Sequence, residues 1–199
     1  MAIPKIACTT RADKLTKTGR GVREANTPAP VAGMKNNHGT TALTAPNNKP
    51  SASDRGIPYL GICFGAQLLA EVLGGRTIKA ERMEVGMIEF DASAACPAAP
   101  GPWFSWHNDI VELPDDVEIL ARTEIAPQVF KAGNSLGVQF HPEVTKELME
   151  EWLRVGGDEL TGNFTADEFR QEWDAKGRYA QAHGRELIDW FLTVEPVAV

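Results

Sequence analysis

The chain has 199 residues, 43% of them hydrophobic, and a formal net charge of −7. That length suits one domain with a substantial core, and the acidic balance gives no electrostatic reason to bind nucleic acid. No apolar stretch approaches the roughly 18–20 residues that cross a bilayer, and no apolar h-region follows Met1-Ala2-Ile3-Pro4, so neither a membrane partner nor a secretory signal is expected.

The charge is unevenly spread. Residues 1–55 hold 9 Lys/Arg against 3 Asp/Glu (+6), which leaves 11 against 24 (−13) for 56–199. Over 1–55 apolar residues are sparse and follow no steady period, while Thr, Pro, Asn, Gly and Lys dominate, so an atypical, disordered segment is expected there. The acid-poor first 25 residues also fit an organelle transit peptide, though no amphipathic pattern supports one. The folded domain is expected over 56–199. Cys8, Cys63 and Cys96 share no metal-ligand spacing, and their odd number argues against a disulfide framework; a reducing, cytoplasmic compartment and no metal follow.

Ile57 to Ile62 reads as a buried strand, and Ala66 to Leu73 as a helix stopped by Gly74-Gly75. Arg76 to Lys79 and Val85 to Asp91 read as two short strands. A proline-rich loop, Cys96 to Pro102, comes next. Further strands are expected at Phe104 to Trp106, Val117 to Arg122, Gln128 to Ala132 and Leu136 to Phe140, the last delivering His141 at its end. Thr145 can cap a helix that carries Leu148, Met149, Trp152 and Leu153 on one face. Thr165-Ala-Asp-Glu168 is a capping box opening a second helix through Phe169 and Trp173, and Glu186 to Leu192 suggests a third. This mixture indicates an α/β sheet with helices packed on it.

The chemistry centres on Gly61-Ile-Cys-Phe-Gly-Ala-Gln67, a strand, a tight glycine turn and a helix start that present Cys63 as a nucleophile. The attacking species is the thiolate, which orphan N–H groups and the dipole at a helix N-terminus favour. Gly61 and Gly65 flank the cysteine where the turn leaves little room for a Cβ. Farther along, Gln139-Phe-His-Pro-Glu143 offers His141 as proton acceptor and donor and Glu143 as the carboxylate that orients it. The N–H of Phe64 would face a tetrahedral oxyanion above Cys63. A lone cysteine is more often an inert core residue and a lone histidine a satisfied one; the glycine-flanked turn and the paired block tip both toward catalysis. Cys8 and Cys96 are read as bystanders, and Trp152, Trp173, Phe169 and Trp190 as core or partner surface.

These two blocks, with Phe104-Ser-Trp-His-Asn-Asp109 between them, resemble the class I (triad) glutamine amidotransferases, the glutaminase modules exemplified by GMP synthase and the small subunit of carbamoyl-phosphate synthase. The resemblance covers residues 56–145 closely and the remaining C-terminus loosely. It implies a flavodoxin-like α/β fold, a mainly parallel sheet with flanking helices. It places Cys63, His141 and Glu143 on the triad positions, and Phe64, Gln67, Trp106 and His107 around the substrate. The implied reaction is hydrolysis of the glutamine side-chain amide through a Cys63 thioester, with no cofactor, supplying ammonia to an acceptor. No phosphate-binding loop or ATP-pyrophosphatase motif is present, so a separate synthetase subunit would be the partner. Family members place βα units and a glycine-rich oxyanion loop ahead of the nucleophile, and residues 1–55 show neither, leaving those N-terminal strands without a counterpart. A γ-glutamyl hydrolase of the same superfamily and a catalytically silent amidotransferase-like binding module are the alternative readings.

Overall fold

The computed structural model describes residues 56–157, 160 and 164–196. The disorder expected over 1–55, and Cys8 with it, falls outside those residues. In chain order the elements are β1 (Tyr59–Ile62), α1 (Phe64–Val72), β2 (Arg76–Ile88), β3 (Asp91–Ala92), β4 (Trp103–Glu112), β5 (Glu118–Arg122), β6 (Pro127–Ala132), β7 (Ser135–Val138), α2 (Lys146–Gly156) and α3 (Ala166–Phe191). Among the described residues no helix is long and apolar enough to cross a membrane.

Five strands form one sheet in the order β1-β7-β6-β5-β3, while β2 and β4 pair as a separate ribbon. Connection length sets the strand directions. Gly133, at φ 57, turns β6 back into β7 through Gly133-Asn134, a tight reversal that only an antiparallel ladder accepts. The β5–β6 and β3–β5 ladders are antiparallel as well. β1 and β7 lie far apart in the chain and run parallel, Tyr59 opposite Ser135 and Ile62 opposite Val138. This pair is the parallel part of the α/β sheet among the described residues.

Helices cover both faces of that sheet, and adjacent β6 residues show it. Val129 packs in a cluster with Leu136, Val138 and Phe140 that reaches Leu187 of α3, whereas Phe130 packs with Ala66, Leu69 and Ala70 of α1. All four residues of β7 are buried, which explains why its sequence shows no alternation. A third cluster joins the ribbon to the C-terminal helices: Met87 and Phe104 meet Met149 and Leu153 of α2 and Phe169 and Trp173 of α3. Phe104, Met149 and Phe169 are almost wholly buried, each contributing roughly 1.5–3 kcal/mol.

The ends of α2 and α3 follow the sequence signals. Thr145 caps α2 by accepting from the Leu148 N–H, and the Thr165–Glu168 capping box is complete at the start of α3. Several elements differ from expectation, β4 among them: expected at Phe104 to Trp106, it runs Trp103–Glu112. The two strands read at 76–79 and 85–91 are one strand, β2, whose ladder with β4 shifts register between Lys79 and Glu84; the charged residues between them sit at that irregularity instead of ending the strand. Asp91 belongs to β3. The third helix, read at 186–192, is the C-terminal end of α3, which continues unbroken through Gly177 and Gly184. Both glycines are there for packing: a Cβ on Gly177 would lie 2.6 Å from the Trp173 indole, and one on Gly184 would collide with the Pro142 carbonyl oxygen. α3 therefore presses on the turn that carries His141.

Candidate active site

Cys63 stands between β1 and α1 in a backbone conformation, φ 47 and ψ −104, that L-residues rarely adopt. The surrounding hydrogen bonds hold it there. Its N–H donates to the Val138 carbonyl at 2.8 Å, continuing the β1–β7 ladder, and its carbonyl accepts from the Gln67 N–H at 3.0 Å, starting α1. Gly61 is a steric necessity, because a Cβ there would lie 2.6–2.8 Å from backbone atoms of Gly65 and Ala66. Gly65 is not: its Cβ would meet only the Tyr59 hydroxyl at 3.4 Å, an ordinary contact. The Tyr59 hydroxyl instead donates to the Gly65 carbonyl at 3.2 Å, bracing the turn. The Phe64 N–H, at the first position of α1, has no acceptor within the helix. The Phe64 ring itself is exposed.

Past Val138 the chain leaves the main sheet for the ribbon. The Gln139 N–H still bonds to the Gln128 carbonyl of β6 at 2.9 Å, but the His141 N–H bonds to the Phe104 carbonyl of β4 at 2.8 Å, so β7 ends two residues before the Phe140 expected from the sequence. This crossing brings His141 to Cys63. Nδ1 of His141 lies 2.8 Å from Oε1 of Glu143, and Cys63 stands close enough to the ring to act on its charge. Trp152 meets the imidazole edge-on at 4.7 Å between centroids, and Phe104 does so at 6.2 Å. Burial pushes His141 toward the neutral form, but the neighbouring Cys63 and Glu143 outweigh it, and its pKa is pushed up to about 9. An imidazolium beside a cysteine is the arrangement that yields a nucleophilic thiolate. Cys96, by contrast, packs against the core, where burial pushes its thiol up.

Gln67 is buried, and its Nε2 donates to the Asp109 carbonyl at 3.2 Å. Trp106 and His107 leave β4 on opposite faces. Trp106 stacks on Phe169 and touches Trp152 edge-on, one ring removed from His141. His107 is buried in a polar cluster: Nε2 faces Glu84 Oε2 at 2.8 Å, and Nδ1 lies 3.1 Å from the same Asp109 carbonyl that holds Gln67. Thr123 Oγ1 and Gln128 Nε2 donate to Glu84 as well, each at 2.6 Å. Burial pushes the Glu84 carboxyl up, yet these donors and the His107 charge hold it below its usual value. His107 thus reaches Gln67 through a shared carbonyl, with its ring engaged by Glu84.

Trp152, Gln139 and the Glu84 cluster were missed as parts of the site. Gln139, and Gln128 of the Glu84 cluster, had a signal in the sequence, since both are polar residues inside apolar strand-like runs, where only a specific partner justifies burial. Glu84 lies among other charged residues and carried none.

Residues 35–156 match the family model of class-I glutamine amidotransferases. The chain is a member of that family. The match begins ahead of Gly56, in residues outside those described. Among curated relatives, the glutamine-hydrolysing GMP synthase of Marinobacter nauticus is 38% identical over 125 residues, 54% of this chain and 24% of the relative. That of Staphylococcus aureus is 33% identical over 146 residues, 69% and 26% respectively. The chain spans about a quarter of the length of these relatives. A glutamine amidotransferase from Thermotoga maritima superposes with a TM-score of 0.64 at 27% identity, over 71% of this chain and 65% of the other. One from Methylobacillus flagellatus shares the fold, with a TM-score of 0.64 at 19% identity over 74% and 68%. The α/β fold of the class-I amidotransferases is the fold of this chain.

Proposed function

We propose that the domain at 56–199 hydrolyses the side-chain amide of glutamine. Cys63 Sγ passes its proton to Nε2 of His141 and attacks the amide carbon, and the Phe64 N–H faces the oxyanion that forms. Nε2–H then returns the proton to the departing nitrogen as the C–N bond breaks, releasing ammonia and leaving a glutamyl thioester. Water, deprotonated by His141, attacks that thioester; glutamate leaves and Cys63 is reprotonated. Glu143 keeps Nδ1 protonated throughout, so that Nε2 is always the nitrogen facing sulfur. Gln67 and Trp106 shape the substrate side.

The observation that carries this reading is the Glu143–His141 hydrogen bond with Cys63 beside the imidazole on a strained turn. It favours a working enzyme over a silent module, because a binding function has no use for the strain. The ammonia goes to a synthetase, on a separate chain or elsewhere in the same protein; the GMP synthase relatives support such a partner. A reaction that needs a free thiol suits the reducing cytoplasm. The test is ammonia release from glutamine by the wild type and by Cys63→Ala, alongside γ-glutamyl-amines as competing substrates. Release from the wild type well above Cys63→Ala is expected, and equal background release from both would refute it.

A further inference from the structure

Gln139 is 1% exposed, and one end of its amide touches the reacting atom: Nε2 lies 3.6 Å from Cys63 Sγ. The other end, Oε1, is buried without a hydrogen-bond partner. A buried amide with an idle carbonyl is costly, and an apolar side chain of similar length would avoid that cost. The contact with sulfur is what the amide supplies. Nor is the contact accidental in its placement, because the backbone on either side is tied to the site: the Gln139 N–H is held by Gln128, and the preceding Val138 carbonyl receives the Cys63 N–H. The donor and the sulfur are thus fixed by neighbouring rungs of the same sheet.

We propose that Gln139 is a further catalytic residue, whose Nε2–H donates to the Cys63 thiolate and holds the negative charge on sulfur once the proton has moved to His141. The proposal rests on the reading of Cys63 as the nucleophile. An imidazolium and an N-terminal helix dipole both favour charge on sulfur, and the amide donor adds to them in the two states where sulfur is anionic, before attack and as the thioester breaks. It also directs a sulfur lone pair away from His141 and toward the sheet, which fixes the orientation of the thiolate before substrate arrives. Among the described residues, the groups placed against the sulfur are His141 with Glu143 behind it, Gln139, and the first turn of α1, which carries no acidic side chain. Tyr59, under the turn, is engaged with the Gly65 carbonyl.

The experiment is iodoacetamide alkylation of Cys63, followed by mass spectrometry of its peptide from pH 5 to pH 10, in wild type, Gln139→Met and Gln139→Glu. Methionine keeps the length and removes the donor; glutamate replaces the donor with an acceptor. At pH 7 the Met variant is expected to react about tenfold more slowly, the scale of one hydrogen bond to a charged group, and to recover the wild-type rate at high pH. The Glu variant should be slower still. A Met profile superimposable on wild type overturns the proposal. If wild-type Cys63 alkylates no faster than Cys96 across the whole range, the nucleophile reading fails instead. Should either variant lose its cooperative melt, the Gln139 side-chain amide resonances of wild type decide the matter. They are expected to shift with pH in step with alkylation and to lose that response in Cys63→Ala; resonances indifferent to both overturn it.

Discussion

Two glycines flank Cys63, and the geometry separates them into one that is required and one that is replaceable. In Gly61→Ala the new Cβ falls 2.6, 2.7 and 2.8 Å from the Gly65 oxygen, the Gly65 carbon and the Ala66 nitrogen. All three are backbone atoms in the first turn of α1, so no rotamer change relieves the overlap, and β1 and α1 must part. Overpacking of a rigid site costs about 1–3 kcal/mol, and backbone contacts place this one near 3. At roughly 2–4 °C per kcal/mol for a protein of this size, the melting midpoint should fall by about 6–12 °C. In Gly65→Ala the Cβ meets one side-chain oxygen at ordinary contact distance, and alanine in a helix gains up to about 1 kcal/mol over glycine. Its midpoint should stay level or rise by about 2–4 °C. Thermal melts of both variants, followed by far-ultraviolet circular dichroism, give the comparison. Equal destabilisation by the two substitutions would refute the reasoning, since it would mean that the turn responds to any side chain and not to this specific overlap.

The His141 pKa of about 9 against an ordinary 6.5 makes stability depend on pH. The folded state holds the proton more tightly than the unfolded state, so the contribution is complete below about pH 6.5 and is lost as pH rises through about 9, on the order of 3 kcal/mol in all. Urea unfolding between pH 6 and 10 should show that loss in wild type and not in His141→Gln; matching curves would count against the ion pair. Glu84→Ala removes the acceptor shared by His107, Thr123 and Gln128, leaving buried donors unpaired at a cost of about 3–5 kcal/mol, whereas Glu84→Gln, which keeps one carbonyl acceptor, should cost less. Chemical denaturation ranks the two, and a reversed order would contradict the geometry.

The local signals in this sequence carried far. The Cys63 turn, the His141–Glu143 pair and both helix caps are defined by residues within a few positions of one another, where sterics and hydrogen-bonding capacity act directly. What stayed hidden depends on residues distant in the chain. Gly177 and Gly184 look like helix breakers until Trp173 and Pro142 are seen against them. Nothing beside His107 in the sequence points to Glu84, which takes its ring from across the ribbon, nor anything beside Gln67 to the Asp109 carbonyl that accepts from it. Residues 76–79 and 85–91 look like two strands until the β4 partner is seen to hold one ladder on both sides of the gap.

The contact of Gly184 with Pro142 has a practical meaning for where this domain stops. The family-model match ends at residue 156, at the end of α2, and a boundary drawn there would treat α3 as an appendage. Mechanically the helix is a buttress: it covers Phe104 with Phe169 and Trp173 and seats its backbone against Pro142, the residue following His141. Any fusion, cleavage or shortening that frees residues 166–191 should therefore loosen His141 first, and a protein trimmed to its recognisable family sequence should lose catalysis while keeping the cysteine that defines it.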